Sequence, residues 1–288
     1  MIPTQKAAHN PLANFMRQPK IYIKIPSGGE FWPVGSIDIP ENGEFPVYSM
    51  TAKDELMLKV PDALMNGQAV VEVIQHCMPN IKNAWFVPNL DLDVILIAIR
   101  IATYGEIMTL PVNLGEDKEF EYQLNLNILL DQLQSKIVWE TAVPISPELT
   151  IHVKPINYKV MTESALKTFE TQKLLETASS SMAEEDKLKT FNESFQKLND
   201  ITIGIVNQSV YAIETSDGAT DNTKHIKEFM ENADKDIFDT VRNHIDELRK
   251  HNSLGPMTIE VTPEMKEQGI EAEKIEVPLV FDPTVFFA

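Results

Sequence analysis

The stretch DLDVILIAIRIATYG, residues 91–105, decides how this chain folds. From Val94 to Ala102 only Arg100 is not apolar, and the run is far too short to span a membrane, which takes about 20 residues. It predicts a helix over Asp91–Thr103, the most apolar in the sequence, with Gly105 placed as its left-handed terminator. Asp91 and Asp93 could form an acid pair for glycosidic or metal chemistry, but acids in a first helical turn more simply complement the helix dipole. Arg100, set among Ile97, Ile99 and Ile101, needs a carboxylate, because an unpaired guanidinium taken out of water is costly. Asp54 and Glu55 are the expected partners.

Working outward toward the N-terminus, Gln68–Cys77 reads as a second helix, preceded by Gly67 and a short turn over Pro61–Asn66. Thr51 caps a further helix bearing Leu56 and Met57, with Asp54 three residues on returning to the cap, close to a capping box. Ile21, Ile23 and Ile25 alternate with Tyr22 and Lys24 as in a strand. The turn Pro26-Ser27-Gly28-Gly29 then predicts a return strand over Phe31–Ile39, with a short third strand at Phe45–Tyr48. Residues 1–19 carry Pro3, Pro11 and Pro19 among polar residues and read as an extended arm. Its only anchors are Leu12, Phe15 and Met16, too few to fold alone, so Leu12 and Phe15 are candidate partner-binding residues.

Toward the C-terminus, strands are expected over Ile107–Val112, Glu119–Gln123, Lys136–Ala142 and Thr150–Pro155, with a short helix at Ile128–Leu133. From Thr162 the pattern turns helical. Leu188, Phe191, Phe195, Leu198 and Ile205 form a two-heptad seam, with Thr202 at its weak position. Two more helices follow the Ser216-Asp217-Gly218 turn, and Gly255-Pro256 ends the block. Thr258–Val261 and Lys274–Phe281 are strand-like, and Pro278 suits the second to a sheet edge. Phe286-Phe287 is too apolar to leave in water and should dock, with a partner favoured over this chain's own core. Phe286 and Phe287 join the candidate partner-binding residues.

The fold class implied is α+β: a small mixed domain of short strands and helices, with a helical insertion and a returning C-terminal β segment. Its divisions are an arm at 1–19, a mixed domain at 20–159, the insertion at 160–255, and closing strands at 256–288. Those strands are expected to pair near residues 136–155.

Composition narrows the function. Hydrophobic residues are 43% and charged residues 24%, a globular balance, and the net charge of −18 disfavours nucleic acid as a partner. No targeting or membrane-spanning segment is expected. The single cysteine, Cys77, rules out an internal disulfide or a cysteine-cluster metal site, and it fits the apolar face of its helix. His76 is adjacent but points about 100° away. The other histidines, His9, His152, His225, His244 and His251, show no zinc-hydrolase spacing. No P-loop and no nucleophile elbow occurs. The chain is therefore not read as an enzyme, with no catalytic, cofactor or metal residue assigned.

Residues 50–105 resemble the baseplate hub and assembly protein family of T-even-type contractile-tailed phages. The carrying residues are Met50-Thr51-Ala52-Lys53-Asp54-Glu55, Pro61 through Gly67, Cys77 at a helix end, and Arg100-Ile101-Ala102-Thr103-Tyr104-Gly105. The opening strands and the tail, Phe281-Asp282-Pro283 and Phe286-Phe287, are similar too; the block at 160–255 has no counterpart in the resemblance. The resemblance implies a structural or assembly component of a tail baseplate, oligomeric within the assembly, that binds other baseplate or tail proteins, hub or tape-measure proteins among them. It would work in the host cytoplasm during assembly and in the virion tail if retained. Two alternatives stand beside it: an assembly chaperone absent from the mature virion, and a tail-borne metal-dependent cell-wall hydrolase.

Overall fold

The computed structural model describes residues 12, 15–113, 119–135, 139–181, 184–252, 257–267, 273–277 and 286. Strands β1 (Ile21–Ile23) and β2 (Phe45–Val47) precede three helices: α1 (Ala52–Leu58), α2 (Pro61–Met65) and α3 (Gln68–Cys77). The apolar run becomes α4 (Asn89–Tyr104), followed by a hairpin, β3 (Ile107–Asn113) and β4 (Glu119–Asn125), and by α5 (Leu126–Ser135). Next come β5 (Ala142–Ser146), β6 (Leu149–Val153) and two long helices, α6 (Tyr158–Ser181) and α7 (Glu184–Ser209). The remainder is β7 (Val210–Thr215), β8 (Gly218–Thr220), α8 (Thr223–Asn232), α9 (Lys235–Asn252), β9 (Met257–Glu260), α10 (Pro263–Glu267) and β10 (Lys274–Val277). The mixed architecture of short strands, a long helical portion and C-terminal strands is the α+β class that the sequence implies.

Every residue from Val94 to Ala102 is buried, so α4 has no solvent side and its neighbours enclose it. Around it gather Val70, Val73 and Ile74 of α3, Phe45 and Val47 of β2, and Leu126 and Leu129 of α5. A second core lies elsewhere. In the antiparallel sheet β5-β6-β7-β8, Val143, Ile151 and Ile213 stand in one register row. Val241, Ile245 and Leu248 of α9, spaced four and three apart on one helix face, pack on that sheet together with Ile226 and Met230 of α8.

Four differences from the sequence reading have physical reasons. Phe31–Ile39 forms no strand, only a bridge from Ile37 to Ile81. Successive turns occupy this segment because Ser27 and Trp32 both reach the buried Asp91. Of the expected strand at Lys136–Ala142, residues 136–138 lie outside the described residues and residues 139–141 are not in a strand; β5 starts at Ala142, where pairing with His152 begins. The partners of that sheet are β7 and β8, from within the helical block, and among the described residues β9 and β10 pair with each other rather than with residues 136–155. Helix α6 starts at Tyr158, whose amide donates to Val87 O and whose ring stacks on Trp85. Gly67, at φ +79°, sits where a Cβ would lie 2.9 Å from Thr162, so it lets α3 approach α6.

Asp91 joins the opening turns to α4. Its carboxylate accepts from Ser27 N at 2.7 Å, Ser27 Oγ at 2.5 Å and Trp32 Nε1 at 2.8 Å. Burial pushes its pKa up to about 6 against the lowering effect of these hydrogen bonds, and burial likewise pushes Asp93 to about 6. Native Asp91 therefore keeps a proton that the unfolded chain releases near pH 3.9, so this group's contribution to stability falls as the pH rises through 6. In urea titrations the unfolding free energy should rise as the pH is lowered from 7 to 5. Asp91→Asn should lose about half of that rise, since Asp93 supplies the remainder. An undiminished rise in the variant would contradict the assignment.

Candidate interaction site

The root of the N-terminal arm is pinned by Arg17. Its guanidinium donates to Ser49 O at 2.6 Å and to His76 O at 2.5 Å, and lies 5.5 Å from the centre of the Tyr48 ring. His76 is in the last turn of α3, where free carbonyls and the helix dipole favour a cation. Just before this clamp, Phe15 is 85% exposed, and Leu12 and Met16 are exposed as well. The Phe15 amide donates to Leu12 O at 2.9 Å, so a tight turn presents both apolar side chains. Both candidate residues of the arm thus lie on the surface, next to a fixed point.

Polar chemistry near this root is already committed to structure. Asp54 forms the full capping box with Thr51 that the sequence suggests. It also accepts from His76 Nδ1 at 2.7 Å across α1 and α3. Burial acts to raise the pKa of Asp54, but the hydrogen bonds from His76 and Thr51 prevail and hold it below the ordinary value. Beside the pair lies a groove of about 230 Å³ lined by Lys53, Met57, Glu72 and Gln75. The Cys77 thiol is buried and pushed up to about 12, chiefly by desolvation, so it stays protonated and packs as an apolar group. Among the described residues no three His, Cys, Asp or Glu side chains are grouped as a metal ion would require.

At the other end of the sequence, Phe286 is 1% exposed and belongs to the core around α4. Its ring therefore docks on this chain's own body, the alternative that the sequence reading ranked second. Phe287 lies outside the described residues. Arg100 makes the docking specific: Nη1 donates to the Phe286 carbonyl, and the guanidinium stacks 5.2 Å from the Tyr104 ring and 5.4 Å from the Phe286 ring. Neither Asp54 nor Glu55 pairs with it. Asp54 is held by His76 and Thr51, and Glu55 accepts from Tyr104 Oη at 3.3 Å. A backbone carbonyl and two ring faces replace the expected carboxylate, and residue types alone do not reveal a carbonyl acceptor 186 positions away.

A model of the T4 bacteriophage base plate protein family matches residues 16–262. The chain belongs to that family. No curated protein and no solved structure matches it. The family match takes in the helical block at 160–255, where the sequence reading found no counterpart. It begins one residue before Arg17 and ends before β10. Leu12, Phe15, Phe286 and Phe287 thus lie outside the matched segment.

The two ends should answer mutation differently. Phe286→Ala should lower the unfolding free energy by about 3–5 kcal/mol, through lost burial and the cavity left behind. Combined with Arg100→Met in a double-mutant cycle, it should cost clearly less than the two single changes added together, because they share one contact. Leu12→Ser with Phe15→Ser should shift stability by no more than about 0.5 kcal/mol. Urea denaturation of the four variants measures all three outcomes.

Proposed function

We propose that this base plate family member is a non-enzymatic structural or assembly component of a contractile phage tail, acting by binding other tail or hub proteins. The family match over residues 16–262 carries this reading. The chemistry of the chain supports it: the carboxylate Asp54, the imidazole His76 and the guanidinium Arg17 are spent on caps and tethers, and Cys77 is enclosed. The hydrolase alternative finds no ligand set among the described residues. Leu12 and Phe15 supply contact area, since apolar side chains held out in water by a fixed root gain most from a partner's pocket. The protein would act in the host cytoplasm during assembly and persist in the tail if retained. Phe286, buried in its own chain, contributes by completing the body that the partners meet.

Deleting residues 1–16 tests the reading. The shortened protein should keep its melting temperature within a degree or two while tail assembly falls sharply in complementation of a phage lacking the full-length gene. Normal assembly with the shortened chain would remove the arm from the partner interface. Mass spectrometry of purified virions then separates a resident component, present in fixed copy number, from a chaperone that leaves.

A further inference from the structure

Charge is not spread evenly along this chain. Residues 1–29 hold Lys6, Arg17, Lys20 and Lys24, four of its 25 basic residues, and none of its 43 acidic ones; Glu30 is the first acid. With the other 21 basic residues set against all 43 acids, residues 30–288 carry a balance of −22. Arg17 is spent on the carbonyls of Ser49 and His76. Lys20 and Lys24 are not spent: both are exposed, and neither forms an ion pair or a side-chain hydrogen bond among the described residues. Glu44, one residue before β2 and across from Lys24 in the strand register, accepts instead from Asn42 Nδ2 at 3.4 Å.

The two lysines share a face with an aromatic ring. Exposure alternates along residues 20–25: Lys20, Tyr22 and Lys24 stand out in solvent, while Ile23 and Ile25 are buried and Ile21 packs half-buried against the same core. The tyrosine is 60% exposed. Four residues of extended chain set the two lysines about 13 Å apart. The Lys20 amide donates to Val47 O and Arg17 to Ser49 O, so the turn bearing Leu12, Phe15 and Met16 leaves the body at the start of β1. Apolar anchors, a tyrosine and two unpaired ammonium groups thus succeed one another on the surface of residues 12–24.

We infer that this stripe docks on an acidic face of another tail protein, with Leu12 and Phe15 in an apolar pocket and Lys20 and Lys24 on carboxylates at its rim. Charge complementarity selects the occupant, because carboxylates supply what the two lysines lack on their own chain. Apolar anchors inside a charged rim are also the anatomy of a specific protein interface. A phosphate surface is a poorer match. A duplex carries one charge per about 1.7 Å and runs on past so short a stripe onto a body of −22, as an anionic bilayer does, whereas a folded protein can confine its acids to the contact. The inference rests on the proposed assembly role and names the chemistry of the arm's partner. Its test changes Lys20 and Lys24, which lie outside the deleted segment 1–16, so the two readings can fail separately.

In the full-length chain, Lys20→Glu combined with Lys24→Glu should lower tail assembly at least about tenfold in complementation of a phage lacking the gene, at unchanged melting temperature. Lys20→Gln with Lys24→Gln repeats the comparison without reversing charge and should lower assembly less, and Lys20→Arg with Lys24→Arg should preserve it. Growth selection from the glutamate pair should yield suppressors that replace Asp or Glu by Lys or Arg in one other tail protein. Purified, that altered protein should bind the glutamate variant more tightly than it binds the wild-type chain. Normal assembly with the glutamate pair would overturn the inference and leave the arm deletion to judge the assembly role. Suppressors confined to this chain would overturn it too, as would self-association of the purified chain that needs both lysines. Binding of the wild-type chain, but not the glutamate pair, to single-stranded DNA or phosphatidylserine vesicles at about 150 mM salt would transfer the stripe to phosphate and overturn it as well.

Discussion

A helix without a polar side has to be enclosed all round, and the first half of this molecule is the set of elements that enclose α4. The two polar groups on that helix set how the enclosure closes. Asp91, near its start, collects three donors from the opening turns and so fixes where residues 26–32 cross it. Arg100, near its end, holds the Phe286 carbonyl and stacks on two rings. A buried charge left without such partners would be strongly unfavourable, so both ends of the sequence are recruited to satisfy one helix.

The second core has a different logic. It is an antiparallel sheet with one apolar face, covered by α8 and by α9 through Val241, Ile245 and Leu248 on one helix face. Neither core needs the outer part of the α6–α7 pair for its closure. The pair can therefore present side chains outward without leaving either core incomplete.

Features that depend on local chemistry were legible in the sequence. The Thr51 capping box, the breaks at Gly67 and Gly105, the apolar run of α4 and the buried Cys77 each follow from neighbours within a few residues. What failed to show was long-range. Strand β7 follows α7 with no Gly or Pro between them, and Val210–Thr215 has no strand assigned from sequence; its pairing with β6 becomes visible only in the fold. The segment Phe31–Ile39 has strand-like residues, but Asp91, about sixty positions away, claims Trp32. Arg100 advertised a need for compensation without naming the group that meets it. The arm residues Leu12 and Phe15 were legible because their exposure follows from prolines and sparse anchors in their own neighbourhood.

The contact between Arg100 and Phe286 also bears on the order of events during synthesis. It joins groups 186 positions apart, so it cannot form until all of the intervening chain has left the ribosome. Until then the end of α4 keeps a guanidinium and the edge of an apolar slot open to the cell. Closing so long a loop is entropically costly and slow compared with forming a helix or hairpin. The first core can thus gather early yet remain unsealed until the second core has been made. A ribosome that stalls late would release a protein with most of its interior built and that one seam still wet.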